Sequence, residues 1–82
     1  MERVYVEVVA KHSREGAVEP LSILWEDGRR FCVDRIIDKK RRASLKVGGV
    51  GMRYTCVISG KMRYLFYEDD RWFVEARGYG RN

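Results

Sequence analysis

One histidine, two cysteines and a scatter of carboxylates are the residues of this 82-residue chain that could attack a substrate, carry a proton or hold a metal. His12 lies in His12-Ser13-Arg14-Glu15-Gly16, a polar, glycine-ended stretch that reads as a loop exposed to solvent. No nucleophile, base and orienting group can be assembled around it, because the acids fall in turns or face arginines. Cys32 and Cys56 form no CxxC pair, and one histidine leaves too few ligands for a zinc site. The chain therefore reads as a non-enzyme with no metal and no cofactor. Both cysteines read as reduced thiols. Cys56 belongs to the inward side of a strand, whereas Cys32 alternates with inward Phe31 and Val33, so the two sulfurs do not point at one place.

Two short motifs touch phosphate chemistry. Gly48-Gly49-Val50-Gly51 has the glycines of a phosphate-cradling loop, but such a loop needs a strand before it, a lysine beside Ser or Thr and a helix after it. Here a strand follows, so the glycines read as a hinge or tight bend. Arg41-Arg42-Ala43-Ser44-Leu45 matches the pattern that basophilic kinases prefer. Five-residue matches are common in basic stretches, and no role is assigned to Ser44.

Charge distribution carries the strongest signal. The net charge is +5, yet residues 39–67 hold eight basic residues and no acid, so this segment is +8 and the remainder −3. Lys39, Lys40, Arg41, Arg42 and Lys46 would track phosphates, Arg53 and Arg63 would sit beside them on strands, and Tyr67 and Phe73, with Tyr5 as a further ring, would stack on bases. That combination fits weak, sequence-tolerant binding of single-stranded nucleic acid. The alternative is a protein–protein module for an acidic partner or a second copy, with Leu65, Tyr67 and Phe73 as its apolar centre and Arg63 and Glu75 at its rim. The bland reading of the same charges is solubility.

The elements that would position these groups are strands. Met52 to Arg77 reads as three antiparallel strands joined by two turns. A three-residue Ile58-Ser59-Gly60 turn sets Met52, Tyr54 and Cys56 opposite Phe66, Tyr64 and Met62, all on one face. A two-residue Ser59-Gly60 turn would place Tyr54 opposite Leu65 and Cys56 opposite Arg63, mixing the faces, and the hydrophobic pattern favours the longer loop. The same face carried through Glu68-Asp69-Asp70 pairs Phe66 with Trp72, Tyr64 with Val74 and Met62 with Ala76. The other face takes Arg53, Arg63, Leu65, Tyr67 and Phe73, with Arg63 beside Glu75 and Leu65 beside Phe73.

Upstream, Arg3 to Lys11 alternates with Val4, Val6, Val8 and Ala10 on one side, a half-buried strand. Pro20 opens a second strand, and a Glu26-Asp27-Gly28 turn sets Trp25, Ile23 and Leu21 opposite Arg29, Phe31 and Val33. After Val33 the alternation fails, because Arg35 would fall inward and Ile36 and Ile37 both seek burial, which predicts a bulge where the sheet curls. Asp38 to Gly51 reads as a loop with at most one short helical turn at Ala43 to Val47, and residues 78–82 as a frayed tail. The inward residues Val4, Val6, Val8, Leu21, Ile23, Trp25, Phe31, Val33, Ile36, Met52, Tyr54, Cys56, Met62, Tyr64, Phe66, Trp72 and Val74 form the expected core.

These elements predict an all-β chain, a small antiparallel β-barrel of SH3-like or OB-like type with five or six strands. A sandwich usually takes about 100 residues. A curved open sheet that dimerises is the second choice. A chain of this length makes one domain, spanning 1–82, and folding buries only about 60 to 65% of its unfolded surface, so each large apolar residue counts. No apolar run reaches the roughly 18 residues of a membrane span, Met1-Glu2-Arg3 leads straight into a strand pattern without the apolar region of a signal peptide, and a cytoplasmic location with no membrane partner is expected.

The hairpin Pro20-x-Ser22-x-x-Trp25-x-Asp27-Gly28-Arg29-x-Phe31, the strand Arg53-Tyr54-x-Cys56 and the closing Tyr64-Leu65-Phe66-Tyr67-x-Asp69-x-x-Trp72-Phe73 resemble short bacterial all-β domains of unknown function. The resemblance runs from Pro20 to Glu75. Some of the domains it resembles are encoded near error-prone DNA polymerases, which implies an association with DNA metabolism and carries no residue role across.

Overall fold

Runs rich in β-branched and aromatic residues, parted by turns at residues 13–16, 26–28, 59–60 and 69–70, form strands in the computed structural model, which describes residues 2–43 and 49–76. They are β1 (Glu2–His12), β2 (Val18–Leu24), β3 (Arg30–Ala43), β4 (Val50–Ile58), β5 (Lys61–Glu68) and β6 (Arg71–Ala76). Each pairs antiparallel with the next, and β6 pairs with β1, closing a barrel in simple sequential order. Closure gives the expected small antiparallel barrel and removes the open-sheet alternative. No helix occurs among the described residues, and hence none long and apolar enough to cross a membrane. Ser44, Lys46, most of the short turn expected at Ala43 to Val47, Arg77 and the tail expected at 78–82 lie outside the described residues. Ala43 itself ends β3.

Two strands bend to serve two partners each. β1 pairs with β6 through Val6 and with β2 from Glu7 onward. β3 pairs with β2 over Arg30–Cys32 and with β4 from Val33. The bend in β3 comes from two bulges that skip Asp34 and Ile37, where the broken alternation after Val33 predicts one. A third irregularity, beside Ala10, corrects the reading of β2. Ala10 pairs with Pro20, and Leu21 is left out of the ladder and turned outward, 47% exposed, instead of joining the core. Pro20 is buried in its place, two residues inside a strand that starts at Val18.

Turn chemistry decides the registers. The Glu26-Asp27-Gly28 turn is as expected: the Trp25 amide donates to the Arg29 carbonyl at 2.8 Å and Gly28 takes φ 90°. The next two hairpins have two-residue loops, not three. Ser59-Gly60 takes φ 51° and 77°, Asp69-Asp70 takes φ 53° and 60°, and the flanking pairs are Ile58 with Lys61 and Glu68 with Arg71. Two consecutive left-handed residues twist the chain in the sense of the strands they join, which is why such tight loops prevail in hairpins. Each loop shifts the register by one residue. The first shift inverts β5, so that Tyr54 faces Leu65 and Cys56 faces Arg63. The second restores the phase, so β6 keeps its expected faces while its partners change to Phe66 with Phe73 and Tyr67 with Trp72.

Inversion of β5 rewrites part of the core. Ile23, Tyr54, Cys56, Leu65 and Trp72 form its centre, with Val6, Val8, Val33, Ile36, Met52, Tyr67 and Val74 packed around them. Leu65 is 0% exposed, whereas Met62 and Tyr64, expected inside, stand outside at 64% and 52%. Phe66 is buried as expected, but on the outer side of the wall, stacked on Phe73 at 5.0 Å. Trp25 and Phe31 are only half-buried. The Tyr54 hydroxyl donates to the Val18 carbonyl, so the buried phenol keeps a partner.

Both cysteines are free, Cys32 exposed and Cys56 buried. Burial pushes the Cys56 thiol up from 9.0 to about 11, leaving roughly 0.1% thiolate at pH 8. An aromatic disulfide reagent at pH 8 is therefore expected to titrate Cys32 in the native chain and Cys56 only after denaturation. Burial also raises Tyr54 and Tyr67. The folded state holds all three protons more tightly than the unfolded chain; the Cys56 contribution is complete below about pH 9 and is lost as the pH rises through about 11, and the two tyrosines act in the same direction in the alkaline range. The urea midpoint should fall across that window, and a native Cys56 that reacts as fast as Cys32 at pH 8 would contradict the buried assignment.

Candidate nucleic-acid interface

Beyond its second bulge β3 has a partner on one side only. Asp38–Ala43 runs along Thr55–Val50 of β4, and among the described residues no strand covers the opposite edge. The basic segment, expected as a loop, is thus an edge strand, paired with β4, whose other side carries β5 from Met52 onward. It shows no period-2 apolar pattern because both of its faces meet solvent, and charged side chains are how exposed edges avoid pairing with other chains.

Alternation divides the cations between the two faces of this edge strand. Lys40 pairs with Arg53, and Arg42 with Gly51, on the outer surface of the barrel wall. Lys39 and Arg41, opposite Tyr54 and Met52, fall on the reverse face. From Lys40 a row of direct partners crosses five strands: Lys40, Arg53, Phe66, Phe73 and Tyr5.

Arginines lie across these rings. The guanidinium of Arg42 is 4.8 Å from the centre of Phe66, that of Arg53 4.6 Å from Tyr64, that of Arg3 4.1 Å from Phe73 and that of Arg71 3.6 Å from Tyr5. Their stems and planes cover Phe66 and Phe73, which are buried, and leave Tyr64 and Tyr5 half open. Arg3 also donates to the buried carboxylate of Glu68 at 2.9 Å, a bond that raises its own proton affinity further. Arg42 and Arg53 have no acidic partner among the described residues, and Arg53 Nε is buried without an acceptor. A guanidinium pinned by a ring keeps N–H donors that an ion pair would have consumed.

Of the residues predicted to bind, Lys40, Arg42 and Arg53 come together. Lys39 and Arg41 share their strand on the other face. Arg63 does not join them: it lies opposite Cys56, five positions along β4 from the Arg42 partner Gly51, a separation of about 17 Å. Tyr67 turns inward against Trp72, with ring centres 4.5 Å apart, and its hydroxyl donates to Asp70. Phe73 is on the expected face but only 1% exposed beneath Arg3, so it offers no ring to a base. Lys46 lies outside the described residues. The interaction face centred on Leu65, Tyr67 and Phe73 is likewise corrected, since Leu65 and Phe73 are buried and neither Arg63–Glu75 nor Leu65–Phe73 is a cross-strand pair.

The ring best placed beside the cations is Tyr64, which the three-residue turn had sent to the core. Ser59-Gly60 as a two-residue loop is the signal that identifies it. Arg3 and Arg71, which sit outside the acid-free segment, carry no signal that charge counting detects. Comparison with family models, with curated proteins and with solved structures gave no match, so the resemblance noted above rests on its sequence pattern alone.

Proposed function

We propose that the outer face of β3, β4 and β5 binds single-stranded nucleic acid weakly and without sequence preference, in the context of DNA metabolism, and that the chain has no catalytic role. The observation that carries this reading is the group Lys40, Arg42 and Arg53, three cations with no acidic partner among the described residues, held beside the half-open ring of Tyr64. Lys40 and Arg42 would each neutralise a phosphate along the edge strand, Arg53 would neutralise a third on the sheet beside it, and Tyr64 would stack on a base. Lys39 and Arg41 would add longer-range attraction from the reverse face.

Binding of this type is expected at a Kd of about 10⁻⁴ to 10⁻⁶ M at physiological salt, falling steeply as salt rises. In fluorescence-anisotropy titrations, Lys40, Arg42 and Arg53 replaced together by alanine should lower the slope of log K against log salt by about 2, three single-strand phosphate contacts at roughly 0.7 each. Tyr64→Ala should keep the slope and lose the preference for single over double strands, since stacking contributes about 1 to 3 kcal/mol per base. Absence of binding to either kind of oligonucleotide at about 100 μM protein and low salt would sink the proposal. The cations would then serve only to guard an open strand edge.

A further inference from the structure

β5 and β6 separate after three bridged pairs. Phe66 meets Phe73, Tyr67 meets Trp72 and Glu68 meets Arg71, but Lys61–Leu65 and Val74–Ala76 form no bridges with each other. β6 instead follows β1, with Val74 on Val4 and Ala76 on Glu2. The cause lies in β5. Its inward phase runs through Leu65, Arg63 and Lys61, and two cations cannot enter an apolar core without a large desolvation cost, so this half of the strand swings outward.

The wedge between the two strands is a cavity of about 620 Å³, within the roughly 300 to 1,000 Å³ in which proteins hold small ligands. Ile23, Phe31, Ile58, Val74 and Ala76 supply an apolar lining, with Trp25 beside them. Its charged members are Arg29, Lys61, Arg63 and Glu75. Arg29 is already committed, bonded to Asp27 at 2.6 Å and lying over Phe31. Lys61 and Arg63 have no acidic partner among the described residues. An apolar cleft that opens past two uncommitted cations is complementary to one kind of molecule. We propose that this wedge binds a small amphipathic anion, with its apolar body against Ile23, Phe31 and Val74 and a single carboxylate between Lys61 and Arg63.

Tyr64 and Phe66 border both this cleft and the proposed nucleic-acid face, whereas Lys40, Arg42 and Arg53 do not line it, so variants at those cations test the two sites separately. The experiment is calorimetric titration of the full chain with hexanoate, octanoate and decanoate below their micellar concentrations, with octanol as the uncharged control. Saturable one-to-one binding is expected, tightening about fourfold for each methylene that becomes buried. Lys61→Ala with Arg63→Ala should weaken the carboxylates about tenfold, equivalent to about 1.4 kcal/mol, and change octanol less than twofold. Ala76→Trp, which fills the cleft, should abolish binding of both. Amide shifts in the wild-type chain at Ile23, Phe31 and Val74 locate the site even if that variant fails to fold. Lys40→Ala with Arg42→Ala should leave carboxylate binding unchanged, and an equal loss there would reduce the effect to general attraction and overturn the site. No saturation by about 5 mM octanoate, no dependence on chain length, or shifts confined to the outer face would overturn it as well. So would concentration-dependent dimerisation that the carboxylates fail to disrupt, because a second copy would then occupy the cleft.

Discussion

Replacing Trp72 with alanine will leave the barrel largely unfolded at room temperature. The indole sits opposite Tyr67 and Val6, with ring centres 4.5 Å from Tyr67 and 5.5 Å from Tyr54, and belongs to the buried cluster that every strand but β1 and β3 enters directly. Truncating a buried tryptophan costs about 3 to 5 kcal/mol. A domain this small sits at the lower end of protein stabilities, about 5 kcal/mol, and the loss removes most or all of it. The far-UV spectrum and the urea midpoint read the outcome, and Trp72→Phe, which keeps the ring contacts with Tyr54 and Tyr67, should retain most of the midpoint. A midpoint for Trp72→Ala close to that of the parent chain would place the side chain outside the barrel.

Phe73, the next residue, is expected to matter almost as much, for a different reason. It points away from the core, yet its ring is enclosed by Phe66 at 5.0 Å, Tyr5 at 5.6 Å and the Arg3 guanidinium at 4.1 Å. Phe73→Ala should cost about 3 kcal/mol, the lower end for a buried phenylalanine because the cover is a mobile arginine and not another apolar wall. Phe73→Asp should be worse, since it sets a carboxylate between two rings. The distinction from an interface residue is direct. An interface residue changed to aspartate separates subunits and leaves each folded, whereas Phe73→Asp should lower the urea midpoint of a chain whose sedimentation is unchanged. A folded Phe73→Asp monomer released from a dimer would overturn this assignment.

How much of this was legible in the sequence depended on whether a strand had one apolar face or two. β1, β4 and β6 have apolar residues inward and polar or charged ones outward for most of their length, and alternation places Val4, Val6, Tyr54, Cys56, Trp72 and Val74 correctly. β5 reads Met62-Arg63-Tyr64-Leu65-Phe66-Tyr67, apolar in both phases, so hydrophobicity cannot choose between them. The choice passes to the turns, and those turns use left-handed Ser59, Asp69 and Asp70, residue types that tolerate this conformation without announcing it as glycine does. The candidate site inherits the same weakness. Lys40, Arg42 and Arg53 were legible from charge and from the phase of β4, while Tyr64 was hidden by the inverted strand. Asp38 to Ala43 was missed as a strand because an edge wet on both faces lacks the alternation by which strands are recognised.

The sequential strand order also sets how the chain reaches its fold. Five of the six seams join strands that follow one another, so each can zip from its own turn over a short loop. The sixth brings Val4 to Val74, about 70 positions away, and its closure entropy grows with the logarithm of that span. Formation of the β4–β5 and β5–β6 hairpins therefore precedes closure, and the β1–β6 seam is the last to be made and the first to open. Stability gained at Val4 or Val74 accordingly appears mostly as slower unfolding, and stability gained at the Ser59-Gly60 turn as faster folding.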